Sequence, residues 1–321
     1  MNNILVSMLL VVRNAESYIE KSLYSLINQG FKKDEFEIIV IDGMSEDKTK
    51  EIAKNILEKE NINYKIIDNP KLNLPSGWNL GINLANGEYI VRPDAHAELL
   101  DDYVKIGIEK LEKDSKLAAV GGVLITKSNT YIGKLIAKVL SNPIGVGTSL
   151  FRIGVKKDTI SDTAVYAVYR KEILEKVGGF NENLTRNQDI DLHKRIQNLG
   201  FYFITTPDMR AIYYSRTNLK KFIKQAYENG FWVTYGKSGH FRHLIPLLFL
   251  ITIFISIFIS SKLFFLIMGI YLLAVAFAYI YKSKEKNIMN LIVLSILTFI
   301  LHTFYGLGSL IGIIKRTKNA K

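Results

Sequence analysis

The sequence predicts an α/β protein: a mostly parallel, doubly wound sheet, followed by an interfacial helix and then by transmembrane helices. Three observations carry this expectation. Over the first 120 residues, near-continuous apolar runs alternate with segments of helical period, the pattern of strands covered on both faces. Three long apolar runs at 244–260, 263–281 and 288–314 close the chain. Directly before them, lysines interleave with aromatics. The expected division is therefore 1–217 for the sheet domain, 218–243 for the interface helix and 244–321 for the membrane region.

Each element has its own justification. Residues 4–12 are an apolar strand, and 16–29 carry Ile19, Leu23, Leu26 and Ile27 at helical spacing. A strand at 36–41, a helix over about 47–58, a strand at 64–67, a helix near 77–85 and a strand at 89–91 continue the alternation. Beyond these come a strand at 118–126, a helix near 131–140 and a loop over 142–148 with three turn formers. Residues 163–169 read as extended, and 171–177 as a helix stopped by Gly178-Gly179. A helix at 189–199 and strands near 202–205 and 211–214 complete the domain.

Apolar runs of 17 to 27 residues can cross a hydrocarbon core of about 30 Å with some tilt or thinning. They offer water almost no polar face, which argues against buried core helices. Before them, Lys220, Lys221, Lys224 and Lys237 alternate with Phe222, Tyr227, Phe231, Trp232 and Tyr235, as in a helix lying on membrane lipids. Of the net charge of +12, +7 lies from Leu244 onward. The basicity thus flanks membrane segments and favours anionic headgroups over nucleic acid.

The absence of cysteine excludes disulfides and thiolate metal sites. Met1-Asn2-Asn3 lacks a basic leader region, so the sheet domain is expected in the cytoplasm. Three crossings would then place Lys315, Arg316, Lys318 and Lys321 outside, against the positive-inside tendency. The last run, with Gly306, Gly308 and Gly312, could instead bend back or make two short passes. His302 and Tyr305 within it are read as packing groups between spans.

The most informative short feature is Asp94-Ala95-His96, at the end of the strand that follows Gly87. A carboxylate, a spacer and an imidazole put two metal-competent groups on one strand end, where a divalent cation can neutralise a diphosphate. An exposed turn is the plainer alternative. Asp42 ends an earlier strand, and in a parallel sheet both would open on the carboxyl-end crevice where ligands bind. Asp47 is read as a helix cap.

Six stretches in order resemble family 2 glycosyltransferases of the GT-A fold, with the nearest likeness to membrane-attached enzymes of succinoglycan-type exopolysaccharide synthesis. They are Val11-Val12-Arg13-Asn14-Ala15-Glu16, Ile41-Asp42-Gly43-Met44-Ser45-Glu46-Asp47-Lys48-Thr49, Pro75-Ser76-Gly77-Trp78-Asn79-Leu80-Gly81-Ile82, Gly87 to His96, Val177-Gly178-Gly179-Phe180-Asn181-Glu182 and Asn187-Gln188-Asp189.

The resemblance implies an inverting transfer of one sugar from a nucleotide-diphosphate donor, a UDP-sugar by expectation, to a polyprenyl-linked glycan acceptor. It places Val12, Arg13 and Asn14 beside the nucleoside and lets Asp42 accept a uracil N–H. Asp94 and His96 fall at the family's Asp-x-Asp metal motif, so the cofactor is a divalent cation. An imidazole there suits Mn²⁺ better than Mg²⁺. Asp189 corresponds to the general base, with Asp191 in reserve, while Gly179, Phe180 and Gln188 would contact the acceptor. Gln188 stands where the family usually has Glu. The stretch Gln225 to Trp232 lacks the arginine of the Gln-x-x-Arg-Trp motif of processive synthases, which favours single additions. Transfer directly onto polyprenyl phosphate, or a nucleotide-binding membrane scaffold without catalysis, remain alternatives at this point.

Overall fold

The structure, a computed structural model, describes residues 4–215, 218–236 and 241–319. The basic residues Lys237 and Lys321 and the leader residues Met1-Asn2-Asn3 lie outside them. The chain divides into two compact units, residues 1–125 with 154–213, and residues 126–153 with 214–321. The second unit therefore takes in a segment that the sequence places in the sheet domain.

The first unit opens with β1 (Val6–Val12), α1 (Ile19–Ile27), β2 (Phe36–Asp42), α2 (Thr49–Lys59), β3 (Asn63–Asp68), α3 (Leu74–Leu84) and β4 (Tyr89–Val91). Every residue of β2 and β4 is buried, and six of the seven in β1, which is why these strands read as unbroken apolar runs. Asn73 starts α3, its side chain accepting from the Ser76 N–H at 2.8 Å with Pro75 just behind it. The helix therefore begins earlier than the expected 77.

Then follow β5 (Ala97–Leu99), α4 (Tyr103–Glu112) and β6 (Leu117–Lys127). After the excursion into the second unit come β7 (Thr159–Ser161), β8 (Val168–Arg170), α8 (Lys171–Lys176), α9 (Gln188–Asn198) and β9 (Tyr202–Tyr214). The excursion itself contains α5 (Tyr131–Leu140), α6 (Pro143–Val146) and α7 (Leu150–Ile153).

The sheet order is β3-β2-β1-β4-β8-β6-β9-β5, with β7 also on β9. The first four strands pair in parallel, whereas β8 pairs antiparallel with β4 and β6, and β9 with β5 and β7. The sheet is thus parallel only in the half built from β1 to β4. Its core joins Leu9, Ile39, Ile41, Trp78, Ile90, Tyr169, Phe180 and Phe203.

Three expectations change. The stretch 163–169 is not a strand until Val168, because Tyr166 sits at φ 45° and turns the chain. The loop at 142–148 contains α6, started by the Asn142 side chain, which accepts from Ile144 N–H at 3.0 Å, and by Pro143. The two strands near 202–205 and 211–214 are one. Thr206-Pro207-Asp208 reads as a break, yet on one side β9 pairs with β7 through Thr205 and with β5 from Ala211. Pro207 falls in the gap between those partners, where no N–H is required on that side.

In the second unit, α10 (Leu219–Tyr235), a 3₁₀ turn at Phe241–Leu244, α11 (Ile245–Ile259), α12 (Ser261–Ser283) and α13 (Ile288–Asn319) join α5 and α6. Three helical stretches, Phe241–Ile259, Ser261–Ser283 and Ile288–Lys318, are long and apolar enough to cross a membrane. A core of Leu135, Ile136, Phe222, Val275, Tyr279 and Leu297 holds the unit together. His302 and Tyr271 contact each other at 3.1 Å within it.

Candidate active site

Parallel pairing brings the expected groups to one sheet edge. Val12 lies opposite Asp42 in the β1–β2 register, and Val11 forms an isolated parallel bridge with Asp94. The loop after β1 is tied to the loop after β2: Asn14, in a left-handed conformation, donates its N–H to Ser45 Oγ at 2.9 Å, and its own Oδ1 accepts from Glu46 N–H at 2.9 Å. Arg13 is exposed beside them. Asp42 is fully buried, and its two oxygens accept from Ser45 N–H at 2.8 Å and Ser45 Oγ–H at 2.5 Å. Its carboxylate is therefore spent on shaping the loop rather than presented openly. Asp47 accepts from Thr49 N–H at 3.0 Å and Glu16 N–H at 3.1 Å, joining the start of α2 to the approach to α1.

Asp94 and His96 lie side by side and about one-third open, at 32% and 33% exposure, with His96 Nε2 3.9 Å from Asp94 Oδ2. One cation with bonds of about 2.1 Å can bridge such a pair. Among the described residues no group of three or more such ligands exists, so remaining positions would fall to diphosphate oxygens and water, the usual arrangement for a hard cation on a nucleotide. Tyr166 donates its hydroxyl to Asp94 at 3.1 Å. A tyrosine at positive φ is strained, and here the strain accompanies the contact with Asp94. The His96 ring rests against Tyr213, centroids 5.5 Å apart.

Asp189 is the second residue of α9, where a carboxylate suits the helix dipole. It forms an ion pair with Arg92, which follows β4 and is 97% buried. The Arg92 guanidinium lies 4.1 Å from the Trp78 ring centroid and 4.8 Å from that of Phe180, a stacking only a planar cation can make on both. Its Nη2 also donates to Tyr169 Oη at 3.3 Å. Tyr169 contacts His193 Nε2 at 2.7 Å, and Thr163 contacts His193 Nδ1 at 2.8 Å.

Desolvation raises the Asp189 carboxyl above the ordinary aspartate value; Arg92 opposes this, and the charge of Asp94 adds to it. The two carboxylates thus sense each other within one site. Burial, with Arg92 nearby, pushes His193 down to about 3, so it is a neutral link in the chain.

The acceptor-side residues separate. Gly179 has φ 69°, and a Cβ there would stand 2.5 Å from Asn79 Oδ1, so both backbone and space require glycine. Asn79 clamps Phe180, accepting from its N–H at 2.8 Å and donating to its carbonyl at 2.9 Å. Phe180 is buried as a wall for Arg92 and offers no open face. Gln188 is 93% buried, and its Oε1 has no hydrogen-bond partner among the described residues. Asp191 pairs with Arg195 at 3.0 Å, and Arg195 donates to the carbonyls of Val177 and Gly179, both at 2.7 Å. That is a structural duty.

From the sequence, Arg92 and Trp78 fall within the quoted stretches without a role of their own, and Tyr166, Tyr169 and His193 are not singled out. Arg92 had a signal: a lone cation directly after the apolar run Tyr89-Ile90-Val91 needs a partner wherever it is buried.

The half-parallel sheet thus carries an acid and an imidazole on one strand end, and a second acid at a helix start. The chain belongs to the glycosyl transferase family 2, whose profile matches residues 7–178. It is 32% identical, over 98% of its length and 99% of the relative's, to the dolichyl N-acetyl-alpha-D-glucosaminyl phosphate 3-beta-D-2,3-diacetamido-2,3-dideoxy-beta-D-glucuronosyltransferase of Methanococcus voltae. It is 28% identical to the succinoglycan biosynthesis protein ExoA of Rhizobium meliloti (strain 1021), over 57% of this chain and 55% of that one. Among solved structures, the mannosyltransferase PcManGT from Pyrobaculum calidifontis, in complex with GDP-Man and Mn²⁺, superposes with a TM-score of 0.61. That match covers 98% of this chain and 88% of that one at 15% identity, and so shows the shared fold. The chain is an enzyme of this family, and its relatives include enzymes of lipid-linked and polysaccharide synthesis.

Proposed function

We propose that the protein is an inverting, metal-dependent glycosyltransferase that moves one sugar from a nucleotide-diphosphate donor, a UDP-sugar, to a lipid-linked saccharide at the cytoplasmic membrane face. The observation that carries this reading is the joint placement of Asp94, His96, Arg92 and Asp189 at one sheet edge. A full-length relative whose name gives a dolichyl-phosphate-linked sugar as acceptor supports the acceptor class.

In this reading Val12, Arg13 and Asn14 border the nucleoside, and Asp42 serves by holding their partner loop, reaching the base only if Ser45 yields. Asp94 and His96 would hold the divalent cation, which supplies charge neutralisation for the leaving diphosphate. Asp189 takes the proton from the acceptor hydroxyl as oxygen attacks the anomeric carbon, and Arg92 keeps that carboxylate ionised and aimed. Gln188, whose Oε1 is closed off from solvent, would act on the acceptor side only through its neighbours. Gly179 and Phe180 shape this side indirectly, through Asn79 and Arg92.

The test is a panel of nucleotide-sugars incubated with the full-length protein and extracted polyprenyl-linked lipids, with and without divalent cation. One donor should give a lipid-linked product extended by one sugar, with inverted anomeric configuration. Donor hydrolysis without transfer, or cation-independent transfer, would count against the assignment.

A further inference from the structure

We infer that α10 and α13 lie together in the interface of an anionic membrane, and that only the α11–α12 hairpin enters the bilayer and returns. The C-terminus then lies on the side from which α11 enters. The proposal rests on contacts within the second unit and not on the catalytic reading.

The two helices run side by side in the same direction. Asn218 and Leu219 share a cavity with Ile296 and Ile300. Further along, a Cβ on Gly230 would overlap the Tyr305 carbonyl, and one on Gly308 the Tyr227 carbonyl. At the far end Thr234 Oγ1 donates to the Ser309 carbonyl at 2.9 Å, and Arg316 donates to the Thr234 carbonyl at 2.9 Å. Backbones in such contact stay together, so α10 is wherever α13 is.

That placement decides the topology. Lys220, Lys221 and Lys224 are exposed on α10, and Lys224 pairs with Glu228 at 3.8 Å. Glu228 stands next to Tyr227, against the middle of α13. A spanning α13 would carry these charges into hydrocarbon, where ionised side chains are strongly disfavoured.

The link between α12 and α13 is also held on the entry side. Lys138 of α5 pairs with Glu285, holding that carboxyl down at about 2, with the Asn287 N–H adding. Tyr131 Oη–H donates to Asn290 at 2.6 Å. The chain reaches α5 before any apolar helix, so the hairpin's exit lies on the side of its entrance. Between residues 290 and 314 the exposed positions of α13 are Ile292, Ile296, Leu307, Leu310 and Ile314. At 3.6 residues per turn these form one apolar stripe. Lysines beside such a stripe suit anionic headgroups.

Because the chain has no cysteine, full-length single-cysteine variants can be read directly. In closed, oriented vesicles a membrane-impermeant maleimide should label Lys318→Cys from the same side as Lys113→Cys in the catalytic unit, and Lys262→Cys beside the hairpin apex only from the other. Fluorophores on Ile292→Cys, Leu307→Cys and Ile314→Cys should report equal, shallow depths to lipid-borne quenchers. Lys318→Cys labelling opposite to Lys113→Cys, Lys262→Cys labelling with it, or a maximum of depth at Leu307 would each overturn the proposal.

Discussion

Arg92 and Asp189 are 97 residues apart in sequence and form an ion pair at the edge of the sheet, the cation buried and the carboxylate 36% exposed. The asymmetry matters. The arginine is fixed by rings on two sides, whereas the acid retains an open face.

Replacing Arg92 should therefore act on the titration of Asp189. Arg92 lowers that carboxyl against desolvation, so Arg92→Met should raise it and move the acid limb of the kcat/KM profile to higher pH. Arg92→Lys should leave the limb nearer its original place but still lower the rate, since an ammonium cannot stack between Trp78 and Phe180. An unshifted limb in Arg92→Met would show that the pair does not tune the base.

Asp189→Asn should lower transfer by about 10² to 10⁴, the usual worth of general-base assistance, with nucleotide-sugar binding retained. Asp191→Asn should instead loosen the Arg195 tie to Val177 and Gly179, lowering thermal stability more than turnover. Titration calorimetry for the donor and a radiolabel transfer assay separate the two variants.

His96→Asp should keep activity and shift preference from Mn²⁺ toward Mg²⁺, because an all-oxygen pair suits the harder ion. His96→Ala with unchanged rate and metal dependence would remove this residue from the cation site.

Acid should destabilise the fold through His193. Its folded pKa, about 3, lies below the ordinary 6.5, so the unfolded chain binds the proton first. The contribution is fully present above pH 6.5 and is lost as pH falls toward 3, on the order of several kcal/mol. Melting temperatures in detergent should fall over this window, and His193→Gln should flatten the slope there.

The alternation from β1 to β4 was legible because strands buried on both faces leave no polar residues to confuse the pattern. The metal-competent pair was legible because Asp94 and His96 are local to one strand end. What sequence could not show depends on distant partners. Arg92 meets Asp189, Trp78 and Phe180 only after folding, and Phe180, expected at the acceptor, turned inward to meet it. The same holds for Asp42, whose neighbour Ser45 takes both of its oxygens, and for Pro207, which is silent because of where β7 stops and β5 begins.

The excursion of α5 to α7 between β6 and β7 means that the two units are joined by three passages of the chain rather than by one hinge. No single cut separates them. Removing everything after residue 217 would leave Leu135, Ile136 and Val139 attached to the catalytic half while taking away Phe222, Val275 and Leu297, their partners in the second core. A shortened enzyme made that way would carry an adhesive helix of its own. Solubilising the catalytic half thus calls for replacing the segment 126–153 as well as trimming the tail.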